Sequence, residues 1–173
     1  KFVEAVITNI DIDKREKMKF YINVESKTAY ENLDKILSSP SSKLLTGIVI
    51  GRSDLTKSFG YGKQDVVSNK MCKVVTDILT QSKNYGFKTL MGGNIGSSSI
   101  NFIQDMFSKK LLNNIETRNV IIDLDKVNID TLEELIKNSL SFESNWLNYK
   151  ADYYNKIGGE YIKRSKTILD RIS

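Results

Sequence analysis

The chain has 173 residues, of which 40% are hydrophobic and 27% charged, and it carries a net charge of +5 without a single histidine. This composition favours a folded protein over a disordered one, and the length predicts a single domain spanning residues 1–173. The lack of histidine excludes His-based acid–base chemistry, Ser–His and Cys–His nucleophile pairs and all His metal sites.

The first half of the chain alternates between helical and strand patterns. Residues 2–12 have helical spacing, and the β-rich segment KFYINVE predicts a strand over 19–25. An amphipathic pattern predicts a helix over 28–38, with Thr28 as N-cap and Glu31 completing a capping box. A serine-rich loop around the only proline ends this unit.

The second half continues the alternation. Its predicted elements are a strand at 44–51, a glycine-containing loop at 52–64, a helix at 65–84, a strand at 88–93, a helix capped by the serines 97–99, and a last strand at 119–124. Beyond that strand the chain is helical to its end, and Gly158-Gly159 is predicted to divide this region into two helices.

Regular strand–helix alternation predicts an α/β fold with a parallel sheet. A four-stranded open doubly wound sheet and half of an eight-stranded barrel both fit the pattern, although a full barrel needs about 250 residues. The sequence has neither a G-x-G-x-x-G nor a G-x-x-x-x-G-K-[ST] motif. The weaker GGNIG segment at 92–96 leaves a small anion or nucleotide binder as a remote third reading.

The carboxyl ends of the predicted strands carry the candidate chemistry. Glu25 follows the first strand and Asp54 follows the second, so the two carboxylates are expected at neighbouring strand tips. A hard divalent cation such as Mg²⁺ would relieve their repulsion and could stabilise an enolate. The alternative is structural: Asp54 caps a turn and Glu25 accepts a hydrogen bond from a loop amide.

Other polar residues near the strand ends have two readings each. Gly51 permits close backbone approach, the amide of Ser53 could face an anion, and Arg52 could pair with a carboxylate or simply lie at the surface. Glu116 and Arg118 stand at the start of the predicted last strand, so they are expected to form a stabilising ion pair at the opposite rim.

The segment INVESKTAYENLDKIL, followed by GIVIGRSDLTKSFG, resembles the HpcH/HpaI aldolase and citrate lyase family. The shared features are a strand ending in E-[ST] and a following strand ending in G-x-x-D-L; the match runs from Lys19 to Gly62 and continues loosely through GGNI and ETRNVIIDL. The resemblance implies a (β/α)₈ barrel fold in which Glu25 and Asp54 bind Mg²⁺ or Mn²⁺. It also implies that the amides of Ser53 and Asp54 hold a pyruvate-like carboxylate.

Two departures limit the resemblance. The family carries an Arg, and in the aldolase branch a His, on its first strands, and this chain contains no His. Residues 1–173 resemble only strands five to eight with the terminal helices. The expected fold is therefore a partial barrel of about four strands with extra C-terminal helices, whose other half is supplied by another chain, removed, or lost in evolution.

The resemblance implies a divalent-metal-dependent carbon–carbon lyase or aldolase that acts on a 2-oxo acid or an acyl substrate, acyl-CoA included, through a metal-stabilised enolate. Arg52 is the candidate catalytic residue, and the candidate substrate-binding residues are Gly51, Ser53, Gly92 and Gly93. The alternative is a catalytically incomplete barrel fragment that serves as an interaction or oligomerisation module.

The expected partners follow from composition as well as from the resemblance. No apolar run approaches the roughly 18 residues of a membrane span, and the lysines are dispersed without interleaved aromatic residues, so neither a membrane nor a nucleic acid is expected. A small-molecule substrate and a homo-oligomer, or association with a missing half-barrel, are expected instead. The single cysteine, Cys72, favours a reducing, cytoplasmic compartment.

Overall fold

A computed structural model describes residues 2–15 and 17–172. The strands are β1 (Tyr21–Val24), β2 (Gly47–Gly51), β3 (Lys88–Gly92), β4 (Asn114–Glu116) and β5 (Ile121–Asp123). The α-helices are α1 (Phe2–Thr8), α2 (Ile12–Arg15), α3 (Lys27–Glu31), α4 (Leu33–Leu37), α5 (Arg52–Ser58), α6 (Asn69–Asn84), α7 (Ile100–Ser108) and α8 (Leu132–Leu169). Short 3₁₀ helices lie at Pro40–Leu44, Lys63–Val67, Ser97–Ser99, Leu124–Lys126 and Ile129–Thr131.

The five strands form one sheet in the order β1-β2-β3-β4-β5. Strands β1 to β4 are parallel, whereas β5 runs antiparallel to β4. Parallel strands that follow one another in chain order are typical of a barrel, whereas a doubly wound sheet reverses its order at a switch point. The predicted α/β class, with parallel barrel-type units, about four parallel strands and a C-terminal helical region, is confirmed.

The two faces of the sheet differ in polarity. On one face Ile48, Ile50 and Met91 are buried, and α6 packs across β2 and β3 there. The opposite face carries the exposed side chain of Asn23 and the half-exposed Val49. Because consecutive right-handed crossovers place their helices on one side of a sheet, α6 covers the apolar face, whereas Leu90, beside Val49 on the opposite face, is buried as well. The polar face is the side that would line the interior of a barrel.

The predicted helix over 2–12 ends early, at Thr8. The Thr8 hydroxyl donates to the carbonyl of Glu4 at 2.6 Å, and the Asn9 side-chain amide donates to the carbonyl of Ala5 at 2.7 Å. Such local side-chain bonds give the backbone an alternative to continuing the helix.

The predicted helix over 28–38 starts elsewhere and is interrupted. Its N-cap is Ser26, not Thr28, because the Ser26 hydroxyl accepts from the amide of Ala29 at 3.1 Å. The helix then breaks at Asn32, which separates α3 from α4 and whose side-chain amide donates to the Thr28 carbonyl. The cap therefore falls directly after Glu25, so the helix begins where the strand ends.

Two predictions in the middle of the chain are wrong. The predicted loop over 52–64 opens with α5, which begins at Arg52 immediately after β2. The fourth parallel strand is β4, not the predicted strand at 119–124, which contains the antiparallel β5. A tight turn in which the Thr117 amide donates to the Val120 carbonyl at 2.9 Å reverses the chain between them.

The predicted break at Gly158-Gly159 is also wrong, because α8 is one continuous helix of 38 residues. The buried residues Leu132, Ile136 and Ser139 anchor its first two turns to the domain. At 1.5 Å per residue the helix is about 57 Å long, so most of it projects beyond that anchor. In the described part of the chain no helix combines the length and apolarity that a membrane span requires.

Candidate active site

The carboxyl edge of the sheet forms a row of four residues. Val24 pairs with Ile50, and Gly51 pairs with Gly92. One residue further along, this register places Glu25 beside Gly51, and the β3–β4 pairing places Glu116 beside Gly92. Two glycines therefore stand between two glutamates at the same level of the sheet.

The two glutamates lie over the two glycines. A Cβ atom on Gly51 would stand 2.9 Å from Oε2 of Glu25, and one on Gly92 would stand 2.7 Å from Oε1 of Glu116. Because neighbouring strands are about 4.8 Å apart, these two carboxylate oxygens lie within roughly 10 Å of each other. Any larger residue at either glycine would fill the space that a glutamate side chain now occupies.

An open cavity of about 580 Å³ adjoins this row. Asp54 and Ser53 from α5, Gly93 from the loop after β3, Glu116 from β4 and Glu143 from α8 all line it. Glu25 lies at the same edge of the sheet but is not part of this lining. Asp54 instead shares the cavity with Glu116.

Glu116 is the residue that the sequence reading misplaced. It lies at the carboxyl end of β4, on the candidate edge and not at the opposite rim, so the predicted rim role is wrong. Arg118 lines the same cavity, and no ion pair joins it to Glu116 among the described residues. Partial burial raises the pKa of the Glu116 carboxyl above its ordinary value of 4.5.

The hydroxyl of Thr117 is a further polar group at the cavity. The Thr117 hydroxyl is buried and makes no hydrogen bond to any described residue. Buried polar atoms in native structures are nearly always satisfied, so an orphan beside an open cavity is typical of a group that meets a ligand or water. Thr117 belongs to the same cavity wall as Glu116.

Arg52 does not reach a carboxylate. Its side chain is 1% exposed, and its Nε and Nη2 atoms donate to the carbonyl of Gly93 at 3.1 and 2.8 Å. Nη2 also donates to the carbonyl of Asn94 and to the hydroxyl of Ser99. The expected pairing with a carboxylate is therefore not found among the described contacts, and the guanidinium instead holds the loop that follows β3.

Burial changes the pKa of the Arg52 guanidinium. Its removal from water lowers the pKa of the guanidinium to about 10, with the nearby Cys72 thiol opposing the shift. A pKa of about 10 keeps Arg52 charged at neutral pH. Its Nη1 atom is buried without a partner among the described residues, so a positive group with spare hydrogen-bonding capacity lies beneath the loop.

Gly93 fits where no other residue would. Its φ of +82° lies in the left-handed region, and a Cβ atom there would stand 2.5 Å from the backbone nitrogen of Ser53. The loop after β3 therefore packs directly on the start of α5. The Ser53 amide, which the resemblance assigns to substrate carboxylate binding, lies beside this contact.

The donor atoms at this edge are all oxygens. Glu25, Asp54, Glu116 and the Thr117 hydroxyl are the hard ligands that Mg²⁺ and Mn²⁺ prefer. Among the described residues no three Asp, Glu or Cys side chains converge on one point. The residues thus fit an ion held by one or two protein carboxylates with the remaining positions open, which is the usual protein mode for Mg²⁺.

No protein-family model and no curated protein matches this sequence. Several solved structures are similar, among them the following two. The HpcH/HpaI aldolase from Desulfitobacterium hafniense DCB-2 has 13% identity and a TM-score of 0.49, over 66% of this chain and 39% of that one. Citrate synthase SbnG has 15% identity and a TM-score of 0.48, over 78% of this chain and 48% of that one.

This chain therefore spans less than half the length of each of these structures. The family that the residue pattern resembles is found again among them.

Proposed function

We propose that this chain carries part of the active site of a divalent-metal-dependent carbon–carbon lyase or aldolase. Its substrate class is a 2-oxo acid or an acyl compound, acyl-CoA thioesters included. The observation that carries the proposal is the pair of glutamates over Gly51 and Gly92, with Asp54 on the adjoining cavity wall. Carboxylates at the carboxyl edge of parallel strands are the oxygen ligands that Mg²⁺ prefers, and this edge is where barrel enzymes place their chemistry.

Each residue at the carboxyl edge has a separate role in this proposal. Asp54 with Glu25, or Asp54 with Glu116 in place of Glu25, would hold the ion, which when bound would polarise a carbonyl and stabilise an enolate. Gly51 and Gly92 leave the space at the strand ends that the Glu25 and Glu116 side chains occupy, and Gly93 keeps the approach to the Ser53 amide free of a side chain, so that a substrate carboxylate would meet these groups directly. Arg52 acts as a positioning residue, since it fixes the loop that carries Gly93.

Titration calorimetry with Mg²⁺ and Mn²⁺ tests the metal site. The wild-type chain is expected to bind one ion. Asp54→Asn and Glu25→Gln should each weaken binding by at least about tenfold, because even residues behind a metal ligand cost that much. Glu31→Gln, which removes an exposed carboxylate paired with Lys27, serves as the control and should bind like wild type.

Equal affinities for wild type and Asp54→Asn would refute the assignment. A loss in Glu116→Gln as large as in Asp54→Asn would identify Glu116 as the second ligand in place of Glu25. Enzyme assays with pyruvate-type and acyl-CoA substrates then separate the two substrate classes.

A second candidate function is favoured by the open polar face of the sheet. On this reading the chain is a catalytically incomplete barrel that serves as an interaction or oligomerisation module. It predicts no specific Mg²⁺ or Mn²⁺ binding, so the same titration distinguishes the two. Retained binding with no turnover would indicate a complete metal site that lacks residues supplied by another chain.

A further inference from the structure

We infer that the projecting part of α8 joins two copies of this chain through an antiparallel coiled coil. The inference starts from a strict seven-residue repeat. Every seventh residue is large and apolar or aromatic, and all are exposed: Leu140, Leu147, Tyr154, Tyr161 and Ile168. The residues four positions after the first four of these are all small: Ser144, Ala151, Gly158 and Ser165.

Positions four and three residues apart lie on one side of a helix, so the large and small residues form a single seam. A seven-residue repeat kept over four heptads favours a left-handed supercoil with a partner helix. None of the residues that the structure describes covers this seam, since Tyr154 is 64% and Tyr161 71% exposed. An exposed apolar seam of this length therefore favours a partner helix from another molecule.

The glycine at the centre of the seam points the same way. A Cβ atom on Gly158 would meet nothing within 4 Å in the chain's own fold. Glycine weakens an isolated helix. Because no described residue approaches this position, no intramolecular contact explains why a glycine stands on the seam. An intermolecular contact explains it, because a small residue lets a large side chain of a second helix approach the backbone.

A second copy is the occupant that the pattern selects. In antiparallel pairing, Tyr154 lies opposite the partner's Gly158, and Ala151 lies opposite the partner's Tyr161. The same register sets Leu147 against the partner's Ser165, and Ser144 against the partner's Ile168. Each layer thus joins one large and one small residue, and two-fold symmetry repeats every layer. Parallel pairing would instead set glycine against glycine and tyrosine against tyrosine.

The area that the pairing would bury is large enough for a specific interface, and the flanking charges distinguish its orientation. Aromatic side chains bury about 150–250 Å² each, so the large residues of two copies cover roughly 1,000 Å², the size at which specific interfaces begin. Glu143 lies opposite the partner's Arg171, whereas Lys150 lies opposite the partner's Arg164. The first contact is attractive and the second repulsive, which fixes a signature for the test below.

The pairing also reaches the candidate active site. Leu140 and Glu143 line the carboxyl-edge cavity, and they stand at the start of the seam. The end of the partner's helix would therefore lie at the mouth of that cavity.

Sedimentation equilibrium of the whole chain is the first measurement. A dimer with twice the 19.7 kDa of one chain is expected. A strictly monomeric species at concentrations up to several hundred micromolar would overturn the inference.

Adjacent glycines supply a matched pair of variants. Gly158→Leu fills the seam, and overpacking at two symmetric sites should raise the dimer dissociation constant by at least about thirtyfold. Gly159→Leu makes the same chemical change one position outside the seam and should alter that constant by less than about threefold. The double variant Gly158→Leu/Tyr154→Ala exchanges the large and small residues of one layer and should restore the dimer. Equal effects of the two single variants would overturn the inference.

Lys150→Glu tests the orientation. It converts the repulsion with the partner's Arg164 into an attraction in the antiparallel register, and should tighten the dimer several-fold at low salt. Lys156→Glu carries the same charge change on the outer side of the helix and is the control. In a parallel pair Lys150 would face the partner's Asn155, so an unchanged dissociation constant in Lys150→Glu would overturn the antiparallel arrangement.

Discussion

Glu116 shows how one side chain acquires unusual properties from its neighbours. Its carboxyl lies against Gly92 at the end of β4, where partial burial raises its pKa. The cause is desolvation, which disfavours the charged form. Such a group is poised either to bind a cation or to exchange a proton, and both roles suit the lyase or aldolase function that we propose.

The raised pKa predicts a pH-dependent stability. Between the unfolded pKa of 4.5 and the higher folded pKa, the folded chain binds more protons than the unfolded chain. The stability that Glu116 contributes is therefore present below about pH 4.5 and is lost as the pH rises through the folded pKa. We expect the free energy of unfolding of wild type, relative to Glu116→Gln, to fall over this window. Urea unfolding at a series of pH values measures it.

Divalent cations should reverse this trend. If an ion binds beside Glu116, Mg²⁺ should remove the relative loss of stability above pH 4.5, because the cation favours the carboxylate. Glu160→Gln, on the exposed part of α8, controls for a general change in net charge. A wild-type-to-Gln difference that does not vary with pH would contradict the burial of this carboxyl.

At the scale of elements, one buried side chain organises a loop. Gly93 and Asn94 both have positive φ, a combination that the backbone rarely adopts without support. Arg52 supplies the support by donating to the carbonyls of both residues. These hydrogen bonds therefore join the start of α5 firmly to the loop after β3, and Asp54 belongs to this part of α5.

Arg52→Met should consequently destabilise the fold. It leaves buried carbonyls without donors, and charged hydrogen bonds are worth about 1.5–3 kcal/mol each, so a loss of at least about 3 kcal/mol is expected. Hydrogen exchange of the amides in 93–99 should accelerate as well. Lys35→Met removes an exposed positive charge on α4 and should change stability by less than about 0.5 kcal/mol. A loss below about 1 kcal/mol in Arg52→Met would contradict the bracing role.

At the scale of the whole molecule, stability is distributed unequally between the two faces of the sheet. Helices α4, α6 and α7 border a continuous core that includes Ile50, which is fully buried. The other face carries polar and half-exposed side chains such as Asn23 and Val49. In a closed barrel that face would be interior, so the half-barrel form exposes surface that a full barrel would enclose.

This asymmetry predicts that shortening side chains on the two faces of β2 lowers the free energy of unfolding by unequal amounts. Ile50→Ala should cost about 2–5 kcal/mol, because it leaves a cavity in the core. Val49→Ala on the open face should cost less than about 1.5 kcal/mol, since water already reaches part of the side chain. Chemical unfolding of both variants provides the comparison. Equal costs would show that the open face is covered in solution.

Much of the fold follows from local pattern. Strands β1, β2 and β3 appear where β-rich runs predict them, because their apolar alternation and burial are strong signals. β4 is missed because the three residues Asn114–Glu116 are too short to show a period. The helix break at Gly158-Gly159 is predicted wrongly because two glycines, costing about 1 kcal/mol each, weaken a helix but do not by themselves interrupt one of 38 residues.

The sequence by itself determined the parallel α/β class, the oxygen-only character of any metal site, and the placement of Glu25 and Asp54 at strand ends. These features depend on residue type and on contacts close along the chain. Only the tertiary structure decided that Glu116 joins the edge, that Asp54 and Glu116 line the same cavity, and that Arg52 turns inward to a loop forty residues away. The physical reason is that strand register and side-chain burial arise between distant segments, and no local pattern encodes which distant carbonyl a guanidinium will meet.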